Sequence, residues 1–140
     1  MKKLYFIATF VLTVLFVINF NPTSADAASR ENCSTSYVRC QAVTIYPGDK
    51  IGYSSRTIYV PSGGEIYFGV STYSDSVFQV GAYVYDGNLN QLDSVGASGG
   101  GGDGFDSVTA PHSGFYHIVL KSGDSTQGRS HARAYLQYYN

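Results

Sequence analysis

Hydrophobic and polar residues alternate with a period of two along most of the chain from residue 43 onward, as in strands with one buried face. Turn-forming Gly, Pro and Asp residues separate these alternating segments. No segment from residue 43 onward has the 3.6-residue period of a helix. The predicted strands cover residues 43–45, 57–60, 65–73, 78–85, 89–95, 105–110, 115–121 and 131–139. The pattern predicts an all-β fold, a single jelly-roll-like β-sandwich of about eight short antiparallel strands, with a closed barrel as the alternative.

The first 27 residues have the order of segments that marks a secretory signal. Lys2 and Lys3 precede an apolar run over residues 4–18, and small residues follow at 25–27. An uncleaved membrane anchor is the alternative, but the run is at the short end for crossing a bilayer. We therefore expect a signal peptide at 1–27, an N-terminal segment at 28–42 and a β-sandwich at 43–140, in a secreted protein without a permanent membrane anchor.

Two cysteines, Cys33 and Cys40, lie in the N-terminal segment. In an exported protein an isolated pair most often forms a disulfide, and so short a loop stabilises the fold by roughly 2–3 kcal/mol in the chain-entropy model. A metal site needs more ligands than two thiols, and redox pairs are typically spaced C-x-x-C. The spacing favours a structural disulfide, with a pair of free thiols as the alternative.

Charge and motifs exclude several classes of function. Residues 28–140 carry seven basic and nine acidic side chains, a net charge of −2 without a basic cluster, so nucleic acid is not an expected partner. No G-x-S-x-G or H-E-x-x-H motif is present. His117 alternates with Tyr116 and Ile118 and is expected to face solvent on its strand. These observations favour a protein that is not an enzyme.

Asp103 and Asp106 are weak candidates for a metal site, since they lie beside the glycine-rich segment 96–104, which we expect to be a loop that cannot pack. Calcium prefers six to eight oxygen ligands. Neither the spacing of these aspartates nor that of Asp86 and Asp124 matches a known calcium loop, and the alternative is a turn-forming role. No cofactor is expected, and calcium is kept as a weak possibility.

Tyrosines on the outward faces of the predicted strands are the strongest candidates for a binding site. Six of them alternate with the apolar positions of their strands, namely Tyr67, Tyr73, Tyr83, Tyr85, Tyr135 and Tyr139. If these strands share a sheet, the rings form one patch beside Arg133, suited to sugar rings or to protein surfaces. The alternative is cross-strand pairing that only stabilises the sheet.

Four stretches in this order resemble the bacterial pre-peptidase C-terminal domains. They are residues 62–68 (SGGEIYF), 82–88 (AYVYDGN), 109–119 (TAPHSGFYHIV) and 134–136 (AYL), within a resemblance that spans about 45–139. It implies a jelly-roll-like sandwich with an accessory role in binding or secretion, although here the domain is expected to stand alone, without a protease. Gly114 would let the chain bend, and Tyr116 would pack inward with its hydroxyl bonded to backbone near the corner.

Three functions remain open at this stage. The first is a secreted, non-enzymatic binding module for glycan or cell-envelope material, acting through the tyrosines and Arg133. The second is a secreted effector, a bacteriocin-like toxin or an inhibitor, that acts on an extracellular protein or a membrane target; an inhibitor would expose the Cys33–Cys40 loop. The third is an envelope or matrix component.

Overall fold

The structure, a computed structural model, describes Cys33 and residues 39–123 and 129–139 of the 140-residue chain. The predicted signal peptide, most of the N-terminal segment and Asp124 lie outside these residues. Within the described residues the regular structure consists of nine strands. They are β1 (Cys40–Ile45), β2 (Ile51–Tyr53), β3 (Ile58–Val60), β4 (Glu65–Thr72), β5 (Val80–Asp86), β6 (Gln91–Ala97), β7 (Asp103–Thr109), β8 (Gly114–Ser122) and β9 (Ala132–Tyr138).

The strands form two antiparallel sheets that pack face to face. Sheet 1 has the order β1-β9-β4-β7, and sheet 2 has the order β2-β8-β5-β6, with β3 also paired to β8. Buried side chains from both sheets, such as Phe68 and Leu136 from sheet 1 and Ile118 and Leu120 from sheet 2, form one hydrophobic core. All eight predicted strands are present, and the predicted β-sandwich is confirmed. No helix in the described part of the chain is long and apolar enough to span a bilayer.

The glycine-rich segment 96–104 is ordered by contacts with β4, so the prediction that it cannot pack is wrong. Strand β6 continues to Ala97, and β7 already begins at Asp103. The hydroxyl of Thr72 donates to the carbonyl oxygen of Ser98 at 2.6 Å and accepts from the amide of Gly101 at 3.1 Å. Backbone groups of the loop thus have partners on β4, and Gly101, at φ +93°, adopts the left-handed conformation that the turn requires.

A tyrosine corner fixes the start of β8. The side chain of Tyr116 is fully buried, and its hydroxyl donates a hydrogen bond to the carbonyl oxygen of His112. The arrangement implied by the family resemblance is therefore confirmed for this residue. Burial is the main cause of the raised pKa of Tyr116, so the group stays a neutral donor.

Asp86 closes the turn after β5, at the same end of the sandwich. Its carboxylate accepts from the amides of Asn88 and Asn90 at 2.9 and 2.8 Å, and from the Asn90 side chain at 3.0 Å. These bonds, with the Asn90 side chain as the largest cause, lower the pKa of Asp86. The Asp86 carboxylate therefore stabilises the hairpin turn after β5, as the turn-forming alternative for the aspartates predicts.

The predicted disulfide is present. Cys33 and Cys40 are bonded with their Cα atoms 5.3 Å apart, and Cys40 is the first residue of β1. The bond therefore links Cys33 to the edge of sheet 1, because among the described strands β1 pairs only with β9.

Replacing Tyr116 by Phe should lower the free energy of unfolding by about 1 kcal/mol, because the substitution removes one buried hydrogen bond and leaves the His112 carbonyl without its donor. Urea denaturation of the oxidised protein measures the change. Tyr59→Phe, at an exposed position on β3, is the matched control and should be neutral. Equal stabilities for the two variants would contradict the role assigned to the corner.

Candidate functional site

The six predicted tyrosines do not form one patch, because their strands belong to different sheets. Tyr67 and Tyr135 lie on β4 and β9 of sheet 1, and Tyr83 and Tyr85 lie on β5 of sheet 2. The outer faces of the two sheets point away from each other on opposite sides of the core. The prediction of a single tyrosine patch required these strands to share one sheet, and they do not.

On sheet 1 the tyrosines mainly contact one another and their neighbours. Tyr135 is only 8% exposed, and its ring packs over Gly69, where an added Cβ would lie 2.6 Å from the tyrosine hydroxyl. Tyr67 and Tyr139 form an edge-to-face pair with centroids 5.6 Å apart. Their hydroxyls donate to Glu65 and Gln137 at 2.8 and 2.6 Å. This geometry is typical of cross-strand stabilisation.

The bond from Tyr67 also couples two titratable groups on sheet 1. It is the largest cause of the lowered pKa of Glu65, ahead of the bond from Ser107, and of the raised pKa of Tyr67. Tyr73 lies just past the end of β4, where its ring stacks on His131 with centroids 4.0 Å apart. The imidazole in turn contacts Asp75 at 2.9 Å. These tyrosines thus have intramolecular partners.

The two candidate metal ligands point in different directions. Asp103 and Asp106 are three residues apart on β7, so alternation places their side chains on opposite faces of the strand. The carboxylate of Asp106 accepts from the amide of Ser107 at 2.8 Å. Within the described residues no group of three or more His, Cys, Asp or Glu side chains could hold a metal ion.

The outer face of sheet 2 brings a second set of aromatic residues together. On β5, Val84 points into the core while Tyr83 and Tyr85 point outward. On β8, the same alternation turns four side chains outward, those of Phe115, His117, Val119 and Lys121. Strand β2 adds Tyr53, which pairs with Val119 and is 67% exposed, and β3 adds Tyr59 beside Phe115. We call the outer face of sheet 2, built from these residues of β2, β3, β5 and β8, the aromatic face.

A cavity of about 220 Å³ opens on the aromatic face. Tyr53, Tyr85, Leu89, His117, Val119 and Lys121 line it. Val119 forms an apolar floor and is only 3% exposed although it points away from the core. The rings of Tyr85 and His117 stack nearly parallel, 19° apart, with centroids 5.6 Å apart. The cavity therefore presents flat rings around an apolar floor.

A second groove, of about 410 Å³, lies next to the cavity on the same face. Its floor includes Gly81 and Gly96, which are cross-strand partners without side chains, and its walls include Tyr83, Ser94 and Lys121. An added Cβ on Gly81 would lie 2.9 Å from the ring of Tyr83, so the glycine is what lets that ring lie flat along the strand. Groove and cavity share Lys121 as a common wall.

Lys121 is the positive charge of the aromatic face. Its ammonium lies 4.6 Å from the ring centroid of Tyr83 and 5.8 Å from that of Tyr85, within the range of a cation–π interaction. It also donates to the hydroxyl of Tyr85 at 3.3 Å. The ammonium and the phenol hydroxyls therefore supply hydrogen-bond donors beside the aromatic rings.

His117 is half-buried in this face rather than solvated. Burial is the main cause of its lowered pKa, and the nearby carboxylate of Asp86 has a smaller, opposing effect. The sequence correctly predicts that its side chain points away from the core, but it does not show that Tyr85 covers the ring. At neutral pH the imidazole is therefore neutral and can stack on an apolar surface.

Five of the six residues that line the cavity, all except Tyr85, were missed as site residues by sequence reasoning. Tyr53 belongs to β2, a strand of three residues that is too short to show alternation. Val119 and Lys121 follow the same outward period as His117, and extending that period along β8 is the signal that identifies them.

No model of a protein family matches this chain, and no curated protein matches it. Solved structures do match, among them AlgX of Pseudomonas aeruginosa at 12% identity and a TM-score of 0.49, over 71% of this chain and 26% of that chain. The pre-peptidase C-terminal domain of a Bacillus anthracis collagenase matches at 13% identity and a TM-score of 0.47, over 70% and 87%.

A carbohydrate-binding module, CBM36, solved in complex with calcium and xylotriose, matches at 16% identity and a TM-score of 0.44. This match covers 69% of this chain and 78% of that one. At these identities the similarities concern the β-sandwich fold alone.

Replacing His117 by Gln should flatten the pH dependence of stability below neutral pH. The folded-state pKa of His117 lies below the 6.5 of a free histidine, so the unfolded chain takes up the proton first. The free energy of unfolding of the wild type should therefore fall as pH drops through 6.5 toward the folded-state pKa. Urea denaturation between pH 7.5 and 5 measures both slopes.

The difference between the two curves isolates His117, because all other titratable groups are common to both proteins. Asp86 has a lowered pKa, so its contribution is lost only below 3.8, outside this window. Parallel curves for wild type and variant would show that the imidazole is solvated.

Proposed function

We propose that the protein is a secreted, non-enzymatic binding module that recognises glycan or cell-envelope material through the aromatic face of sheet 2. The observation that carries this proposal is the combination of stacked rings, an apolar floor and a shared lysine around two adjoining depressions. The Cys33–Cys40 disulfide is typical of proteins that fold in an oxidising compartment and supports secretion.

The chemistry of the face suits a sugar ring. Tyr53, Tyr85 and His117 offer flat apolar surfaces for the C–H face of a pyranose, and burial keeps the imidazole neutral. Around them the Lys121 ammonium and the Ser94 hydroxyl provide polar groups for sugar hydroxyls. A contiguous exposed aromatic patch of this kind usually marks an interaction site.

The neighbouring groove extends the same surface. Because Gly96 carries no side chain, a ligand can approach the backbone of β6 closely at this point, whereas the ring of Tyr83 covers Gly81 on β5. Cavity and groove meet at Lys121. A ligand of several linked units therefore fits the face better than a single small molecule.

An extracellular protein is the second candidate partner, as required by the effector or inhibitor hypothesis. Exposed tyrosine and phenylalanine, such as Tyr59 and Phe115 with ring centroids 5.5 Å apart, are also enriched in protein interfaces. The two functions use the same face, so the ligand rather than the position of the site distinguishes them.

Replacing Tyr53 and Tyr85 together by Ser should weaken retention of the protein on purified cell walls and insoluble polysaccharides by about tenfold or more, because two stacking surfaces are lost. The matched control is Tyr67→Ser on the opposite sheet, which should bind like the wild type. Depletion from solution by increasing amounts of each material measures affinity, and far-ultraviolet circular dichroism checks the fold.

Equal losses for the Tyr53/Tyr85 and Tyr67 variants, or no loss in either, would contradict the assignment of the face. Retention that disappears when the envelope material is treated with protease, and survives glycan digestion, would favour the protein-binding function.

A further inference from the structure

Leu89 has an unusual backbone conformation at the rim of the cavity on the aromatic face. Its φ is +66°, and no other residue except glycine has a positive φ in the described part of the chain. In this left-handed region the Cβ of a leucine crowds the following carbonyl oxygen, so the residue is strained. The hairpin after β5 imposes the conformation, because a tight turn of this type is followed by one left-handed residue. The amide of Leu89 donates to the carbonyl oxygen of Asp86 at 3.1 Å, and the amide of Asp86 donates to that of Asn90 at 3.0 Å.

The hairpin itself does not need a leucine at this position. Glycine and asparagine adopt the left-handed conformation with less strain, and the loop contains both, Gly87 and Asn88, at positions where φ is not positive. Leu89 also contributes little to the core, since it is 73% exposed. Strained residues of this kind cluster at ligand contacts. The strain and the exposure of Leu89 therefore point to a contact with a ligand.

The cavity combines this exposed apolar side chain with a hydrogen-bond donor and an acceptor. Leu89 and the outward-facing Val119 are its aliphatic residues. The Lys121 ammonium donates to the hydroxyl of Tyr85 at 3.3 Å, and its other N–H groups can point into the cavity. Burial lowers the pKa of His117, and a neutral imidazole has one nitrogen that accepts a hydrogen bond. Aliphatic contacts, a donor and an acceptor thus meet in one site.

We propose that the cavity takes the acetamido group of an N-acetylated amino sugar and that Leu89 selects for this group. The acetyl methyl contacts Leu89 and Val119. The acetyl carbonyl oxygen accepts from Lys121, and the amide N–H donates to His117. A hydroxyl in place of the acetamido group has no methyl to cover the leucine, and a methyl group alone leaves the donor and the acceptor unused. This ligand class rests on the proposed function, whereas the strain of Leu89 is independent of it.

Titration calorimetry of the oxidised protein with chitotetraose and cellotetraose tests the ligand class. These β-1,4-linked tetramers differ only at C2 of each unit, which carries an acetamido group in chitotetraose and a hydroxyl in cellotetraose. Chitotetraose should bind about tenfold more tightly, because a methyl contact and the hydrogen bonds of the amide are added. The glucosamine tetramer, which keeps the nitrogen but lacks the acetyl group, should bind no better than cellotetraose.

Leu89→Gly and Leu89→Asn test the role of the residue by two measurements. Both should weaken chitotetraose binding about fivefold, because an apolar contact is lost, and leave the affinity for cellotetraose unchanged. Both should also raise the melting temperature by about 4 °C, because the left-handed strain is relieved. Val77→Asn, at an exposed apolar residue outside the cavity, is the matched control and should bind both tetramers like the wild type.

The outcomes separate this proposal from the proposed function. Equal affinity of the wild type for the two tetramers would overturn the acetamido assignment, and the proposed function would stand if the Tyr53/Tyr85 variant still lost its retention on cell walls. Unchanged chitotetraose affinity in the Leu89 variants, or a lower melting temperature in both, would overturn the role of Leu89. If only the cell-wall retention failed, the proposed function would fall, and the chitotetraose titration would still decide the acetamido site.

Discussion

The fixed alternation of side chains along β8 is the constraint on which both the core and the candidate site depend. In a strand, successive side chains point to opposite faces, so one anchored residue fixes the direction of all the others. Tyr116 is that anchor, since its buried hydroxyl bonds the carbonyl of His112. A slip of one residue would turn Tyr116 to solvent and bury the charge of Lys121.

The same strand also organises the sheet through its two edges. One edge of β8 pairs with the whole of β5 through residues 116–122, and the other pairs with β2 and β3 in succession. Tyr53 and Tyr85 therefore reach the same cavity from opposite edges of one strand. The aromatic face is a product of strand pairing, and no single segment of the chain contains it.

Strand positions and side-chain faces could be predicted from the sequence because they depend on local alternation. Tyr83 and Tyr135 illustrate the limit, since both point away from the core as predicted, but they do so from opposite sheets. Which strands are neighbours is decided by packing between residues far apart in the chain, which the period of a segment does not encode. Sequence alone therefore could not determine that Tyr135 would be covered while Tyr53 would be open.

The glycine-rich segment was mispredicted for a related physical reason. Its own composition indicates a loop without packing partners, but the groups that hold it come from Thr72, about 30 residues away. The buried hydroxyl of Thr72 acts together with backbone hydrogen bonds from Thr72 to Gly102 and from Gly100 to Ser76. The composition of a segment indicates its local conformational preference, but it does not show which hydrogen bonds a residue far away in the sequence makes with it.

The close approach of β6 and β7 has a consequence for solubility. A Cβ on Gly104 would collide with the carbonyl oxygen of Gly96, so the outer edges of the two sheets come together at this side of the sandwich. Exposed strand edges are templates for pairing with other chains. Here two of them shield each other, and at the other side the edge of sheet 2 is divided between two strands of three residues each. Mutual shielding of β6 and β7 and the shortness of β2 and β3 thereby limit edge-to-edge pairing at these three edges, whereas the six-residue β1 forms the remaining edge of sheet 1.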